Sequence, residues 1–142
     1  MSIDRLLRLP SYLMLQLVKE ARRLTTGHLR VPHLAVLACV ADLGPVAQKK
    51  ISDRLRIDAS DLVTLLDDLQ DHGYVDRKRD ERDRRRYAVE LTSHGRRALS
   101  HRFDTAEQQE AELLARLTDR ERDDLRTLLL KAYLHREDLR VD

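Results

Sequence analysis

Apolar residues recur in steps of three and four over the first part of the chain. Between positions 6 and 24 they form a single stripe, which predicts one long amphipathic helix with Pro10 near its start. A second helix opens at Pro32 and is apolar on nearly every side until Gly44 and Pro45 stop it. Because a helix without a polar face belongs inside a core, we expect this second helix to be central.

Two shorter helices follow, separated by the turn Arg56-Ile57-Asp58. The first is predicted around Gln48–Leu55. The second is predicted over Ala59–His72, where leucines at i, i+3, i+4 and i+7 bury one narrow face. Asp58 is a good N-cap for the second helix, and Gly73 supplies its C-terminal turn. A short helix, a tight turn and a second helix form the layout of a helix-turn-helix.

The apolar period changes to two after this pair of helices. Tyr74-Val75 and the alternating segment Tyr87–Leu91 predict the two strands of a hairpin, and Thr92 should cap the helix that follows. Residues 32–92 therefore predict a winged helix-turn-helix within an α-rich (α+β) chain. The hairpin loop contains residues 77–86, which carry seven basic and three acidic side chains.

The helices predicted at both ends carry apolar stripes that a winged helix of this size cannot cover. Such stripes require a partner, and a twofold dimer is the commonest solution. We therefore expect residues 1–31 and 93–142 to be dimerisation helices of a homodimer. Together with the winged helix they make residues 1–142 a single domain.

Composition removes several classes of protein. Hydrophobic residues make up 42% and charged residues 37% of the chain, and no apolar run reaches the roughly 18 residues of a membrane span, so no membrane partner is expected. The first ten residues lack the apolar run of a signal peptide. A single cysteine, Cys39, cannot form an internal disulfide, and its apolar neighbours indicate core packing. A cytoplasmic location is the default expectation.

No pattern of residues indicates catalysis or a cofactor. The chain has no glycine-rich phosphate loop, no Ser-His-Asp order and no recognisable pair of catalytic carboxylates, so we expect no enzyme activity. The six histidines include no i, i+4 pair and have no nearby cysteine. A metal site is not expected, unless ligands converge from separate helices. The distribution of charge is therefore the remaining guide, because a basic loop held between two strands can be aimed at phosphates.

The central segment resembles the MarR family of bacterial transcription regulators. The resemblance rests on ISDRLRIDASDLVTLLDDLQDHGYVDR followed by DRRRYAVELTSHG. Within it, Asp83-Arg84-Arg85, then Leu91-Thr92 and Gly95, are similar to the family's wing motif in spacing and in type. The resemblance implies a dimer that binds a pseudopalindromic operator, often represses transcription, and is released by a small molecule or an oxidant. It also implies that Arg85 is the arginine at the tip of the wing.

Candidate DNA contacts fall on three elements. In the wing, we expect Asp83 to hold the Arg85 guanidinium by a bidentate contact and direct it toward a minor groove, the alternative being a mere surface ion pair. On the second helix of the pair, Ser60 and Thr64 can donate to base edges or phosphates, and Val63 can touch a thymine methyl. Side chains expected to contact phosphates are Gln48, Lys49, Lys50, Arg77, Arg79 and Arg84.

The second helix departs from the family pattern, because Thr64 and Asp68 stand where arginine is often found. Its aspartates should repel phosphates, so we expect Asp67 and Asp71 to point away from the DNA or to pair with neighbouring basic side chains. An aspartate can also accept a hydrogen bond from cytosine N4. This acidic helix favours an alternative function, a winged-helix module for protein–protein contacts without any DNA sequence preference.

A small-molecule effector is a further expected partner. The family commonly binds anionic aromatic compounds between the dimerisation helices and the winged helix. Several side chains near the first helix can line such a pocket, but each can equally be a surface or packing residue, so no effector residue is assigned. These side chains are Tyr12, Arg22, Arg23, His28 and His33.

Overall fold

The computed structural model describes residues 2–138, so Met1 and residues 139–142, the outermost parts of the predicted dimerisation segments, lie outside the described residues. This part of the chain folds into seven helices and three short strands. The elements are α1 (Ser2–Leu6), α2 (Pro10–Leu24), α3 (Val31–Leu43), β1 (Val46–Ala47), α4 (Gln48–Leu55), α5 (Ala59–Asp71), β2 (Val75–Arg79), β3 (Tyr87–Leu91), α6 (Ser93–Leu113) and α7 (Asp119–Asp138).

The elements form two compact units. The terminal unit combines the residues up to Ala21 with those from Gln108 onward, and the winged-helix unit spans Arg22–Glu107. The winged-helix unit is wider than the predicted 32–92 because Leu29 is buried and the first turns of α6 pack against the core. The single-domain organisation of residues 1–142 stays a prediction.

The core of the winged-helix unit is built around α3 and α5. Val36, Leu37 and Val40 of α3 are at most 2% exposed, which confirms that the helix without a polar face is central. The leucine stripe of α5 faces the same core, as its spacing predicts. Each fully buried aliphatic side chain contributes about 1.5–3 kcal/mol relative to an exposed one. The side chains that are less than 2% exposed include Leu37, Ile51, Leu62, Leu66, Leu69, Val36, Val75 and Val89.

The sheet has three antiparallel strands in the order β1-β3-β2. The predicted hairpin pairs Val75 with Leu91, whereas β1, which the sequence did not predict, pairs Val46 with Val89 on the other side of β3. A strand of two residues is too short to show an alternating pattern, so periodicity cannot find it. Val46, Val75 and Val89 are buried, and they join the sheet to the helical core.

The start of α6 is fixed to the turn between α5 and β2. The Thr92 hydroxyl donates to the Gly73 carbonyl at 2.6 Å and accepts the Gly95 N–H at 2.9 Å, while the Thr92 N–H donates to the Tyr74 carbonyl at 3.1 Å. A Cβ added to Gly95 would lie 2.0 Å from the Tyr74 carbonyl oxygen. The bond from the Gly95 N–H to the Thr92 hydroxyl confirms that Thr92 caps this helix. The motif of Leu91-Thr92 and Gly95 therefore packs the start of α6 closely against the turn before β2.

Two helix boundaries in the terminal unit have local causes. The predicted first helix begins at Pro10 and not at position 6, and a separate helix, α1, precedes it, because Pro10 has no N–H to continue the hydrogen-bond ladder and restricts the residue before it. The predicted capping box of α7 is confirmed: Glu121 Oε1 accepts the Thr118 N–H at 2.9 Å, and the Glu121 N–H donates to Thr118 Oγ1 at 3.1 Å. None of the helices among residues 2–138 combines the length and the apolarity needed to cross a membrane.

Candidate nucleic-acid interface

The turn between α4 and α5 is locked by local hydrogen bonds. Arg56 adopts a left-handed conformation with φ of 55° and ψ of 42°. The Ile57 N–H donates to the Ser52 carbonyl at 3.1 Å, and the Ser52 hydroxyl donates back to the Ile57 carbonyl. Ile51 and Leu62 are buried on the two sides of this turn. The helix-turn-helix therefore holds the first turns of α5 at the surface.

The predicted base-contacting residues of α5 lie on its exposed face. Ser60, Val63 and Thr64 are all exposed. The Ser60 hydroxyl donates to the Asp58 carboxylate at 2.6 Å, and the Thr64 hydroxyl donates to the Ser60 carbonyl at 3.2 Å. Asp58 is the N-cap residue of α5, as predicted, but its carboxylate accepts the Ser60 hydroxyl instead of a backbone N–H. The two hydroxyls on α5 keep their oxygen lone pairs available as acceptors.

Two of the aspartates on α5 are paired within the molecule. Asp67 Oδ1 lies 2.5 Å from Arg77 Nη2, and Arg77 Nε donates to Gln70 Oε1 at 2.6 Å. Asp68 Oδ2 lies 2.8 Å from His33 Nε2. The prediction that Asp67 pairs with a neighbouring basic residue is confirmed. Arg77 was expected at a phosphate, but α5 engages its guanidinium from within the protein.

Asp83 organises the wing in a different way from the expected one. Its Oδ1 accepts the backbone N–H of Arg85 at 3.0 Å, and its Oδ2 lies 3.7 Å from Arg86 Nε. A short aspartate side chain reaches the backbone two residues ahead, as in an Asx turn, and this contact replaces the expected bidentate contact to the Arg85 guanidinium. Arg84 and Arg85 are exposed at the tip of the turn.

Arg79 braces the loop from the opposite strand. Its Nη1 donates to the Arg84 carbonyl at 2.7 Å, and its guanidinium carbon lies 5.5 Å from the centre of the Tyr87 ring. Both contacts are within the wing, so Arg79 has part of its hydrogen-bonding capacity committed before any DNA arrives. Its predicted phosphate contact stays a prediction.

The start of α4 lies beside the wing. A shallow depression of about 230 Å³ is lined by residues of the first turn of α4 and of the end of the wing. Lys49 and Lys50 are exposed and Gln48 is half-buried. The structure therefore brings together residues that are far apart in sequence. The lining residues are Ala47, Gln48, Lys49, Arg85, Arg86 and Tyr87.

A second cavity, which the sequence did not predict, lies within the winged-helix unit and has a volume of about 470 Å³. It is bordered by the loop before α3, by Tyr74 and by the first turns of α6, and its lining includes no acidic residue. Arg102 in its wall is only 5% exposed. Its Nε donates to the Leu29 carbonyl at 2.8 Å, whereas its Nη1 is buried without a hydrogen-bond partner. The other basic side chains in the lining are His28, His94, Arg97 and His101.

Three histidines and a tyrosine stack beside this cavity. The rings of His28 and His72 are parallel with centres 4.1 Å apart, and His28 Nε2 lies 2.9 Å from the Tyr74 hydroxyl. His94 packs against Tyr74 at 4.9 Å between ring centres. The stack links the loop before α3, the end of α5 and the start of α6. No spacing rule connects residues from three such distant segments, so the sequence carried no signal for the cluster.

Cys39 is a core residue, as its apolar neighbours predict. It is 7% exposed, and burial raises the pKa of its thiol against the smaller opposing effect of Arg54. Among residues 2–138 no group of three metal-binding side chains is close enough to hold a metal ion.

Comparison with known proteins agrees with this geometry. The family model described as the MarR family matches residues 29–87. A protein of Thauera aromatica, named for transcriptional regulation of the hcr operon, is 31% identical over 114 residues, which is 80% of this chain and 69% of that protein. The chain belongs to the MarR family. As a MarR-family protein it is a DNA-binding transcriptional regulator and not an enzyme.

Solved structures of MarR-type regulators share the fold. A mutant of MarR from E. coli in complex with operator DNA superposes with a TM-score of 0.74, at 23% identity over 86% of this chain and 91% of that one. The PcaV regulator of Streptomyces coelicolor in complex with its natural ligand gives a TM-score of 0.75, at 22% identity over 87% of this chain and 91% of that one. These likenesses show that the helix-rich winged helix is a MarR fold.

Proposed function

We propose that this MarR-family protein is a dimeric repressor that binds a pseudopalindromic operator and releases it when a small anion binds. The observation that carries the proposal is the basic rim that the start of α4 forms with the wing. Lys49 at the start of α4 and Arg85 of the wing border one depression, and Thr64 of α5 is exposed in the same unit. A helix-turn-helix with a basic wing presents one helix to the major groove and one loop to the backbone and minor groove.

Base reading is assigned to the exposed face of α5. The hydroxyls of Ser60 and Thr64 donate their hydrogen bonds within the protein, so their oxygens act as acceptors for the amino groups of cytosine or adenine. Val63 is 41% exposed and supplies a methyl surface for thymine. Arg85 enters the minor groove, where the negative potential attracts arginine.

Phosphate contacts are assigned to the exposed cations around this face. Lys49 and Lys50 lie in the first turn of α4, where the helix dipole also favours an anion. Arg84 adds a further charge at the tip of the wing. Gln48 supplies a neutral donor beside them. Contacts of this kind position the protein on DNA and make its affinity depend on salt.

Dimer formation is supported by the terminal unit, which exposes many large apolar side chains. Leu13, Leu128 and Leu129 are 41%, 65% and 44% exposed. An apolar surface of this kind is typical of a protein interface. A twofold dimer would present two copies of α5 to half-sites about one helical turn, roughly 10 bp, apart.

The effector site is assigned to the cavity that contains Arg102. A buried guanidinium with an unpartnered Nη1 costs free energy, and an anionic ligand would remove that cost by accepting its hydrogen bond. The volume of about 470 Å³ suits a small molecule. The structure of PcaV with its natural ligand supports a ligand-responsive reading of this chain.

The DNA part is tested by the salt dependence of binding to duplex DNA. Lys49→Ala should weaken binding to every sequence and flatten the plot of log affinity against log salt by about one unit per phosphate contact removed. Lys131→Ala, an exposed lysine of α7 in the terminal unit, is the matched control and should leave the slope unchanged. A slope for Lys49→Ala equal to that of the wild type would contradict the phosphate contact.

The ligand part is tested with two probes of nearly the same shape, benzoate and benzamide. Benzoate should bind by titration calorimetry and release a bound duplex, whereas the uncharged benzamide should do neither. Replacing Arg102 by methionine should abolish binding of benzoate, with the unfolding transition recorded to show that the variant folds. Equal binding of the two probes would contradict an anion site.

A further inference from the structure

Arg77 joins the first strand of the wing to α5 through two contacts. Its Nη2 lies 2.5 Å from Asp67 Oδ1, and its Nε donates to Gln70 Oε1 at 2.6 Å. Asp67 and Gln70 are three residues apart, so one planar guanidinium spans neighbouring positions on the helix. The Arg77 side chain is only 20% exposed although it carries a permanent charge. We call this contact of Arg77 with Asp67 and Gln70 the clasp.

The clasp answers a difficulty that the charge of α5 creates. The helix carries four aspartates and no lysine or arginine. Asp67 follows Ser60 by seven residues and Thr64 by three, so its carboxylate shares their exposed face and would repel an approaching phosphate. Arg77 supplies the compensating positive charge directly at this carboxylate. Asp68 is contacted by two histidines instead, His33 and His72.

We propose that Arg77 is a positioning residue for base recognition, which holds α5 through the clasp and does not serve as a phosphate contact. The inference rests on the proposed function, because it presumes that α5 reads an operator. Holding Asp67 and Gln70 from β2 fixes the rotation of α5 relative to the sheet, and hence the direction in which Thr64 points. Loss of the clasp should therefore reduce sequence preference more than it reduces general affinity for DNA.

The experiment is a double-mutant cycle in which DNA affinity is measured on two duplexes. One carries the sequence that the wild type selects from random duplex DNA, called the selected duplex, and the other carries a random sequence. Arg77→Ala should weaken binding to the selected duplex about tenfold, the loss expected when a charged hydrogen bond is removed, and binding to the random duplex clearly less. Asp67→Ala removes the other half of the clasp and should also weaken binding to the selected duplex, although it removes a negative charge. The double variant should lose no more than Arg77→Ala does, because the clasp is already broken in each single variant.

Two further variants separate positioning from charge. Arg79→Ala removes an arginine from the same strand whose contacts are with Arg84 and Tyr87, and it should weaken both duplexes equally. Arg77→Lys keeps the charge without the planar fork, and it should lose sequence preference as Arg77→Ala does. Arg77→Lys also provides the test of the clasp if Arg77→Ala does not fold.

The results that would overturn the inference are specific. Additive losses of Asp67→Ala and Arg77→Ala, or equal losses of Arg77→Ala on the two duplexes, would make Arg77 an ordinary phosphate contact. If the wild type binds a selected sequence, such a result leaves the proposed function intact. If selection recovers no preferred sequence, the proposed function itself fails and this inference fails with it.

Discussion

Replacing Asp83 by alanine should weaken operator binding although it removes a negative charge from a loop that we propose faces DNA. In the structure Asp83 Oδ1 accepts the Arg85 N–H at 3.0 Å, so the carboxylate holds the backbone of the wing tip. A net hydrogen bond of this kind contributes about 0.5–1.5 kcal/mol, which corresponds to a factor of roughly 2–12 in affinity if DNA selects the ordered wing. The carboxylate's repulsion of a phosphate opposes this, at about 1 kcal/mol in water at 4 Å and less in salt.

Asparagine separates the two effects. Asp83→Asn removes the same charge as Asp83→Ala but keeps an Oδ1 that can accept the Arg85 N–H. Asp83→Asn should therefore bind the operator at least as tightly as the wild type, and Asp83→Ala should bind roughly 2–12 times more weakly than Asp83→Asn. Fluorescence anisotropy of a labelled operator duplex at one fixed salt concentration measures all three proteins. Equal affinities for the two variants, or an alanine variant that binds more tightly than the wild type, would refute the orienting role of Asp83.

Three further predictions concern stability and reactivity. Gly95→Ala should lower the free energy of unfolding, measured in urea, by about 1–3 kcal/mol, because its Cβ would lie 2.0 Å from the Tyr74 carbonyl oxygen. The control Ser100→Ala, at an exposed position of α6, should change this free energy by less than about 0.5 kcal/mol. Equal stabilities of the two variants would show that the contact between Gly95 and Tyr74 can relax. Because burial raises the pKa of Cys39, iodoacetamide should alkylate it far more slowly in the native than in the urea-unfolded protein at pH about 8, and equal rates would contradict its place in the core. Hydrogen bonds from Thr118 lower the pKa of Glu121 in the folded protein. The capping box therefore stabilises α7 fully at pH values above the pKa of an unfolded glutamate, about 4.3, and this stabilisation is lost as the pH falls through the lower pKa of the folded state. Glu121→Gln should remove that component from the pH profile of unfolding, and an unchanged profile would count against it.

The parts of the fold that sequence predicted are those that local chemistry determines. The apolar α3, the leucine stripe of α5 and the capping box at Thr118 each depend on residues within a few positions of one another. The misses are of two kinds. Pro10 begins α2 and separates it from α1 by a local rule that the continuous stripe concealed, and the two-residue β1 exists only because β3 lies beside it.

The candidate site was predicted less completely, for the same reason. Exposure of Lys49 and Thr64 follows from their places on amphipathic helices. The engagement of Arg77 by Asp67 depends on how β2 lies against α5, which no spacing in the sequence encodes. Arg102 likewise has an unremarkable position in α6, and only the packed structure gives it a buried and unpartnered nitrogen. Long-range contacts thus determine which charged residues are available to DNA and which are not.

Selection of bound sequences from random duplex DNA tests the central claim most directly. The full chain should recover a sequence with two inverted half-sites whose centres lie about one helical turn, roughly 10 bp, apart, because a twofold dimer presents two copies of α5. Recovery of duplexes that share no sequence would contradict operator recognition. The acidic α5 would then belong to a winged helix used for protein contacts alone.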